Sequence, residues 1–387
     1  MLALTAANLF TPIERIDRPL LLVDDGMVVE VTSRLSRAVP GGARLVDFGD
    51  SVLAPGFVDI HIHGGGGHDV MEADSGALPA VEALIARHGV SSYFPTTVTA
   101  SVENIVAALD RLATAIEAYG DGRRGGLRAQ PLGIHLEGPF ISHPRRGVHP
   151  PELLLQPSFK IFEDFWQAAR GHIKLMTVAP DLPGSQELIA EAVKRGICVS
   201  LGHSDADFKT ARNAVAAGAR HATHTFNAMR PLSHREPGII GEVLTDSRLT
   251  ADFIADGIHV DPAIVKLLWQ TKGPDRSVLI TDAISATGMG DGRYPLGSLE
   301  VEVKDGKCMS NGKLAGSVLT MDQAIRNLMR FADCSLQQAL RPATLNPARV
   351  TGAAEGKGLL AAGAAADIVV LSPTGELRQT IIGGYGL

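Results

Sequence analysis

The middle of the chain alternates between two hydrophobic patterns, and this alternation restricts the fold more than any other feature. Eight short apolar segments of strand character occur between residues 56 and 283. They read GFVDIHIH, SSYFPTTV, QPLGIHLEG, HIKLMTVAP, ICVSLGHS, HATHTFNAM, TADFIADGIH and SVLITDA. Helical patterns lie between them, and SVENIVAALDRLATAIEAYG, SQELIAEAVKRG and DADFKTARNAVAAG open on Ser or Asp and close on Gly, as capped helices do. Strands that alternate with helices indicate a parallel sheet.

Eight such units predict an α/β fold, a (β/α)8 barrel of ~250 residues with its active site at the carboxyl ends of the strands. An open doubly wound sheet is the alternative. The two ends of the chain are β-rich instead. Near the amino end there is an Asp-Gly hairpin signal in PLLLVDDGMVVEVTS, and near the carboxyl end there are apolar strands separated by turn residues in GLLAAGAAADIVVLSPTGELRQTIIGG. We therefore expect a small β-sandwich domain from residues 1–53 and 354–387, a barrel domain over residues 54–353, and a β-hairpin insertion near residues 293–316.

Composition and charge exclude several classes of protein. The 387 residues are 45% hydrophobic and 20% charged, the balance of a globular protein with a large core. The net charge is −6, whereas nucleic-acid-binding proteins need a basic face, so no nucleic-acid partner is expected. No apolar run is long enough for a membrane span, and the amino terminus has no signal-peptide pattern. Three cysteines without a CxxC pair argue against a disulfide framework and fit a reducing cytoplasm, where we expect the protein to act.

Titratable side chains stand at the ends of six of the predicted strands. They are His61 and His63 on the first strand, Glu137 on the third, His203 on the fifth, His224 on the sixth, His259 on the seventh and Asp282 on the eighth. Alternate residues of a strand point to one face, so the two histidines of the first strand share a side. Any one of these residues alone is compatible with a structural role. Seven of them at one predicted rim are difficult to assign to packing, because each buried polar group needs a partner.

These residue types suit hydrolytic metal chemistry. Imidazole nitrogens and carboxylate oxygens bind zinc and similar divalent ions, and a catalytic zinc site typically has three protein ligands and one open position. Glu137, His203 and His224 make such a set. His61 and His63 would hold a second ion, with Glu137 bridging the two.

One carboxylate is left for proton transfer. Asp282 is free to take a proton from a water molecule, whose pKa a metal lowers to ~7, and to pass it to the leaving group.

Motifs for other chemistries are weak or absent. The stretch HGGGGHD is not GxGxxG, NGKLAG lacks the P-loop Lys-Ser/Thr pair, and HExxH and GxSxG do not occur. The loop GDGRRGGLR, residues 120–128, is basic and is expected to be a solvated surface loop.

Several longer stretches resemble the amidohydrolase superfamily and, within it, the family of N-acetylglucosamine-6-phosphate deacetylases. The resemblance covers nearly the whole chain and rests on PGFVDIHIHGGGGHD, GIHLEGPFIS followed by RGVHP, LGHSDAD, ATHTFNAMRPLSHREPGIIG, ADGIHVD, LITDAISATG and LAGSVLTMDQAIRNLM. The combination of HxFNAM with REPG is specific to that family, whereas the bare His-x-His is shared across the superfamily. The resemblance implies metal-dependent hydrolysis of the linear amide of N-acetyl-D-glucosamine 6-phosphate, giving D-glucosamine 6-phosphate and acetate, in amino-sugar metabolism.

The resemblance also implies roles for residues around the reacting amide. It makes Glu137, His203 and His224 the ligands of the catalytic metal and Asp282 the acid/base. His149, in RGVHP, matches the family histidine that contacts the substrate and helps to polarise the acetyl carbonyl.

The remaining implied roles concern the sugar phosphate. His259 matches a sugar-contacting histidine, and the backbone of Asn227 and Ala228 together with Arg235 matches the phosphate site. An arginine suits phosphate because its planar fork donates two hydrogen bonds. In the family this arginine comes from a partner subunit, so a homodimer is expected.

The sequence leaves three points open. The galactosamine epimer is the alternative substrate, and a cyclic-amide hydrolase or deaminase of the superfamily is the alternative activity. Many binuclear relatives of that kind use a carboxylated lysine at the end of strand four, but that segment ends TVAP here and Lys174 stands near its beginning. A non-catalytic barrel used as a binding module would usually lack a ligand or the acid/base, and this chain has both. The metal is one or two divalent ions per subunit, with Zn²⁺ favoured and Fe²⁺, Mn²⁺ or Co²⁺ able to use the same ligands.

Overall fold

A computed structural model of the chain describes residues 1–120 and 126–387, so most of the basic loop expected at residues 120–128 lies outside the described residues. Within them, eight parallel strands form a nearly closed barrel. They are β1 (Phe57–Ile62), β2 (Val90–Thr97), β3 (Ile134–Glu137), β4 (Ile173–Val178), β5 (Cys198–Leu201), β6 (His221–Ala222), β7 (Thr250–Ile254) and β8 (Ser277–Ile280). Each strand pairs with the next one in chain order. A single bridge between Ile62, at the end of β1, and Ala283, just after β8, joins the last strand to the first. The predicted (β/α)8 barrel is confirmed, which excludes the open sheet.

A helix follows each barrel strand. The ten described helices are α1 (Ala77–Arg87), α2 (Val102–Gly120), α3 (Phe159–Ala168), α4 (Ser185–Lys194), α5 (Phe208–Ala217), α6 (Gly238–Thr245), α7 (Pro262–Arg276), α8 (Met321–Ala332), α9 (Leu336–Leu340) and α10 (Leu345–Val350). Before α2 the Ser101 hydroxyl accepts a hydrogen bond from the Asn104 N–H, as the sequence predicts, whereas α5 is capped by Asp207, two residues after the predicted opening at Asp205. At α4 the expected serine cap is wrong, because the N-cap residue is Gly184 and no side chain caps the helix. None of the helices in the described ranges has the length and apolar character needed to cross a membrane.

The barrel strands and one face of each helix pack into a single core. Leu136 and Val199 are fully buried in the strands, and Ile105, Leu109 and Leu112 bring one face of α2 to the same core at helical spacing. Because helices cover the outside of a parallel sheet, its strands are apolar on both faces. Polar side chains therefore gather at the strand ends, where the loops begin.

The two ends of the chain build two further sheets. In spatial order, one contains Met27–Ser33, Pro19–Asp24, Leu2–Thr5 and Arg44–Asp47, and the other contains Leu377–Ile381, Ile368–Leu371, Val52–Pro55, Asn8–Phe10 and Arg15–Asp17. Ile368 and Val370 belong to a core shared by these two sheets, whereas Val369 and Leu371 pack on the barrel. We propose the predicted division into residues 1–53 with 354–387 and residues 54–353, except that the strand Val52–Pro55, which pairs in the second sheet, moves the first boundary to Gly56.

An inserted antiparallel sheet lies between β8 and α8. Its four strands are Gly292–Leu296, Leu299–Lys304, Lys307–Ser310 and Lys313–Leu314. The core of this inserted sheet includes Leu296, Val301 and Ala315 and is continuous with Val98 after β2 and Ile284 after β8. The insertion predicted near residues 293–316 is thus larger than one hairpin and covers the carboxyl ends of the barrel strands.

Candidate metal centre and active site

The carboxyl ends of the barrel strands surround a cavity of about 190 Å³. The predicted site residues that line it are His63, Glu137, His149, His203, His224, Asn227, Ala228, His259 and Asp282. His61 is fully buried, with its Nε2 3.2 Å from that of His63. Arg235 does not line the cavity of its own chain and lies in the exposed segment 231–236. The fold therefore gathers every predicted site residue except Arg235.

Several of these residues stand beyond the ends of their strands, where the backbone is strained. β6 ends at Ala222, so His224 lies past the strand that was expected to carry it, and His259 lies well past the end of β7. His203, His224 and Asp282 have φ values of 47°, 30° and 49°. Positive φ is uncommon outside glycine and persists where the surroundings fix it, often at functional sites.

Glu137 is the centre of the first candidate metal site. It ends β3 and is 2% exposed. Its Oε1 lies 3.1 Å from His224 Nε2 and 3.3 Å from His203 Nε2, and those two nitrogens are 3.0 Å apart. Ligand atoms 2.0–2.1 Å from a tetrahedral ion are roughly 3.3 Å from one another. The spacing of these three side chains therefore fits a divalent metal.

The protonation of the histidines also fits a cation. His203 Nδ1 donates to the Arg145 carbonyl oxygen at 3.0 Å, so a neutral His203 has its lone pair on Nε2, facing Glu137. Burial lowers the pKa of His203 and keeps this ring neutral. Burial also opposes the charged form of His224, but Glu137 outweighs it and raises the pKa of His224 to about 9. The buried carboxylate thus draws positive charge to this point, which a metal ion would supply.

A second group of possible ligands adjoins the first. His63 Nε2 lies 3.1 Å from Asp282 Oδ1, and His61 Nε2 lies 3.6 Å from the same oxygen. Glu137 faces this group as well, with Oε1 3.4 Å from His61 Nε2 and Oε2 3.4 Å from His63 Nε2. His63 Nδ1 donates to the Thr96 carbonyl oxygen, so a neutral His63 has its Nε2 lone pair directed into the group. The site therefore holds the donor groups for a divalent metal.

His149 is arranged as a hydrogen-bond donor. Its Nδ1 accepts from the Thr99 N–H at 3.3 Å and lies 2.8 Å from Thr99 Oγ1, so the ring proton is on Nε2. Burial and the nearby His203 lower the pKa of His149 to about 3, so the ring is neutral at physiological pH. Although His149 lies close to Glu137 and His203, its Nε2–H suits a carbonyl oxygen in the cavity better than a metal.

Asp282 is an ionised carboxylate at neutral pH. Burial would raise its pKa, but His61 and His63 lower it to about 2. Its backbone is fixed from both sides, because its N–H donates to the His61 carbonyl oxygen at 2.9 Å and its carbonyl accepts from Ser317 N–H at 2.7 Å. A buried, rigidly held carboxylate in this position can accept a proton from a ligand in the cavity.

Two carboxylates that support the site were not found from the sequence. Asp252 on β7 is fully buried, accepts the backbone N–H of His224, and lies 2.9 Å from His221 Nε2. Asp256 lies 2.7 Å from His259 Nδ1 and also accepts the His259 backbone N–H at 2.8 Å. An aspartate inside the apolar strand TADFI was the available signal for Asp252, because carboxylates are rarely buried without partners.

Asp252→Ala is expected to weaken metal affinity about 10–100-fold, because residues that orient a ligand have effects of this size. The His224 N–H would lose its acceptor, and the strained backbone at His224 would be free to relax. Titration of the metal-free protein with Zn²⁺ measures the change. Glu82→Ala is the matched control, since Glu82 is equally buried but its side chain bonds to Tyr93, Tyr119 and Arg128 and does not line the cavity. The control should lose about 3 kcal/mol of stability and keep its metal affinity; equal affinities in both variants would contradict the assignment.

Comparison with known proteins identifies the family. The profile of the Amidohydrolase family matches residues 52–385. The N-acetylglucosamine-6-phosphate deacetylase of Bos taurus is 42% identical over 353 residues, which cover 87% of this chain and 84% of that protein. The chain belongs to the amidohydrolase family, in its N-acetylglucosamine-6-phosphate deacetylase branch. The resemblance expected from the sequence is confirmed, and as an amidohydrolase of this branch the protein is a hydrolase.

Two further relatives bear on the fold and the substrate. This amidohydrolase superimposes on the N-acetyl-D-glucosamine-6-phosphate deacetylase of Mycobacterium smegmatis with a TM-score of 0.92 and 36% identity. The match covers 100% of this chain and 98% of the relative, whose structure was solved in complex with N-acetyl-D-glucosamine 6-phosphate. It is also 36% identical over 382 residues to the N-acetylgalactosamine-6-phosphate deacetylase of Escherichia coli O157:H7, covering 98% of each chain. The chain thus has close sequence relatives named for each of two epimeric substrates.

Proposed function

We propose that the protein is a metal-dependent deacetylase that hydrolyses N-acetyl-D-glucosamine 6-phosphate to D-glucosamine 6-phosphate and acetate. The observation that carries this proposal is the meeting of Glu137, His203, His224 and Asp282 at one rim of the cavity. The names of the Bos taurus and Mycobacterium smegmatis relatives support the choice of substrate.

The side chains around the cavity divide the chemistry between them. A divalent ion held by Glu137, His203 and His224 supplies, when bound, Lewis acidity that polarises the amide carbonyl and lowers the pKa of water. His149 donates its Nε2–H to the carbonyl oxygen as negative charge develops there. Asp282 accepts a proton from the attacking water and delivers it to the amide nitrogen as the C–N bond breaks.

Zinc is the ion we propose, in one or two sites per subunit. Imidazole and carboxylate ligands suit Zn²⁺, and Fe²⁺, Mn²⁺ and Co²⁺ accept the same set. Two sites are supported by the approach of Glu137 to both candidate groups, His203 with His224 on one side and His61 with His63 on the other. The bridging role of Glu137 is part of this proposal.

The sugar phosphate is proposed to bind at the loops after β6 and β7. Asn227, Ala228 and His259 line the cavity there, and Asp256 fixes the ring of His259. Arg235 is exposed in its own chain, which leaves its guanidinium free to reach the cavity of a second copy and donate two hydrogen bonds to phosphate. We therefore propose a homodimer in which Arg235 completes the partner's site.

Three further points belong to the proposal. The Escherichia coli relative favours a second candidate substrate, the galactosamine epimer. A cyclic-amide hydrolase with a carboxylated lysine is disfavoured, because Lys174 donates to the Gly171 carbonyl oxygen at 3.1 Å and does not line the cavity.

The cytoplasm is the proposed compartment, supported by the unpaired state of Cys198, Cys308 and Cys334.

Steady-state kinetics on both 6-phosphates and on their unphosphorylated parents test the proposed function, with elemental analysis of the same preparation. We expect kcat/KM for N-acetyl-D-glucosamine 6-phosphate to exceed that for N-acetyl-D-glucosamine by about 10³-fold or more, because a site built for a polar group rejects the analogue that lacks it. The faster epimer decides between the two candidates. Equal rates with and without the phosphate, or faster hydrolysis of a hydantoin or dihydropyrimidine, would refute the proposal.

A further inference from the structure

One wall of the cavity is apolar and comes largely from the inserted sheet. The six residues of this apolar wall are Val98, Val148, Leu296, Leu299, Leu314 and Ala315. Most of them belong to the core of the inserted sheet or pack against it, so the wall is held in place by the same contacts that hold the sheet. An apolar wall inside a ligand cavity fits an apolar part of the ligand.

The apolar wall adjoins the proposed carbonyl donor. Val98 and Val148 immediately precede Thr99 and His149, and the contact between Thr99 Oγ1 and His149 Nδ1 is 2.8 Å. The pair that orients the His149 donor is therefore flanked by two residues of the wall. A substrate whose carbonyl oxygen faces His149 would direct its acyl chain toward this wall.

The apolar wall also adjoins Asp282, the proposed acid/base. Ser317 N–H donates to the Asp282 carbonyl oxygen at 2.7 Å, and a Cβ added to Gly316 would lie 3.0 Å from that same oxygen. Asn227 and His259 come from the loops after β6 and β7, whereas the wall comes from β2, β3 and the insertion after β8. In an eight-stranded barrel β6 lies opposite β2, so the loop with Val98 lies across the cavity from the loop with Asn227, whereas the inserted sheet follows β8 and adjoins the loop after β7 that carries His259.

From this arrangement we propose that the apolar wall binds the acyl group, and that the enzyme also hydrolyses N-acyl groups longer than acetyl from the same amino-sugar phosphate. This inference rests on the proposed function and widens its substrate class to N-propionyl and N-butyryl derivatives. The reaction balances with water alone: its oxygen bonds to the acyl carbon, the C–N bond breaks, and its proton passes to the amine nitrogen. The products are the carboxylate and the free amine.

The size of the wall is the physical reason for the wider specificity. An acetyl group presents one methyl, whereas the wall offers six apolar side chains, of which Leu299 and Leu314 remain partly exposed. Each added methylene moved out of water onto apolar surface favours binding. A hydrophobic pocket discriminates between chains that differ by one methylene by only about 10–200-fold, so the residues that limit its depth set the longest chain accepted.

The test compares kcat/KM for the N-acetyl, N-propionyl and N-butyryl derivatives of glucosamine 6-phosphate with the metal-loaded enzyme. Wild type should hydrolyse the N-propionyl compound within about tenfold of the N-acetyl compound. Leu314→Ala should raise the ratio of kcat/KM for the butyryl compound to that for the acetyl compound about tenfold. Leu314→Phe should lower the corresponding propionyl-to-acetyl ratio about tenfold.

Val301→Ala is the control, because Val301 is buried in the same sheet without lining the cavity, and should leave both ratios unchanged. Leu299→Ala replaces Leu314→Ala if that variant does not fold.

Two outcomes would overturn the inference in distinguishable ways. If wild type hydrolyses the N-acetyl compound but the ratios in the Leu314 variants match those in Val301→Ala, the wall does not hold the acyl group. If metal-loaded wild type hydrolyses none of the three compounds, the proposed function fails and this inference fails with it.

Discussion

Asp282→Asn is expected to lower kcat by about 10³-fold, with the ion at Glu137, His203 and His224 retained. Asparagine has the same size and can adopt the same backbone, but its amide does not accept a proton. In the native protein His61 and His63 lower the pKa of the Asp282 carboxyl to about 2 against the effect of burial, so the group is an ionised carboxylate at neutral pH, the form that accepts a proton. The substitution therefore removes proton transfer and keeps the shape of the site.

The measurement is single-substrate kinetics together with metal content for wild type, Asp282→Asn and one matched variant. Asp333→Asn serves as that variant, because Asp333 has φ 53°, close to the 49° of Asp282, but is exposed at the end of α8. It should keep normal turnover. Turnover of Asp282→Asn within tenfold of wild type would remove Asp282 from the proposed acid/base role.

Glu137→Gln is expected to leave the protein folded, to bring its metal content well below one equivalent, and to lower kcat/KM by about 10³-fold or more. A bound metal stabilises transition-state charge by several kcal/mol, which corresponds to a loss of this size. His61 and His224 hold the pKa of Glu137 well below its ordinary value despite its burial, so the native side chain is a carboxylate. A glutamine would carry no charge and would point an N–H₂ or a neutral oxygen at these imidazoles.

Elemental analysis after dialysis, followed by kinetics with added Zn²⁺, distinguishes this result from unfolding. Glu242→Gln is the matched control, since Glu242 is also buried, on α6, and its side chain faces Arg212 at 3.8 Å and Asp246 without lining the cavity. The control should keep its metal and its activity. A Glu137→Gln enzyme with full metal content would show that the ion binds elsewhere.

The sequence predicted the barrel well because its signal is local. Each strand is a buried apolar run bounded by turn residues, and its approximate place follows from hydrophobicity alone. The sixth strand was the exception: only His221 and Ala222 pair as a strand, while the remainder of HATHTFNAM leaves the sheet. His224 turns away there with φ 30°, and the acceptor that holds its backbone, Asp252, is supplied by the next strand. A contact of that kind is not visible in a one-dimensional pattern.

The candidate site was predicted in part for the same reason. Titratable residues at strand ends stand out, but the groups that orient them are a backbone carbonyl, as at Arg145, or a small side chain, as at Thr99. The pattern is also not sufficient alone. His135 alternates with Glu137 on the same strand, yet both of its ring nitrogens are occupied, by the Ile60 carbonyl oxygen at 3.1 Å and by Thr177 Oγ1 at 2.8 Å. Its role is structural, and only the three-dimensional contacts distinguish it from the candidate ligands.

The most direct test of the account is a crystal structure of the zinc-loaded protein with diffraction data collected on both sides of the zinc absorption edge. We predict an anomalous peak about 2.0–2.2 Å from a Glu137 carboxylate oxygen, His203 Nε2 and His224 Nε2, on the side of the cavity that Asp282 faces. A zinc peak elsewhere in the protein, or none at these three side chains when zinc is present in stoichiometric amount, would contradict it.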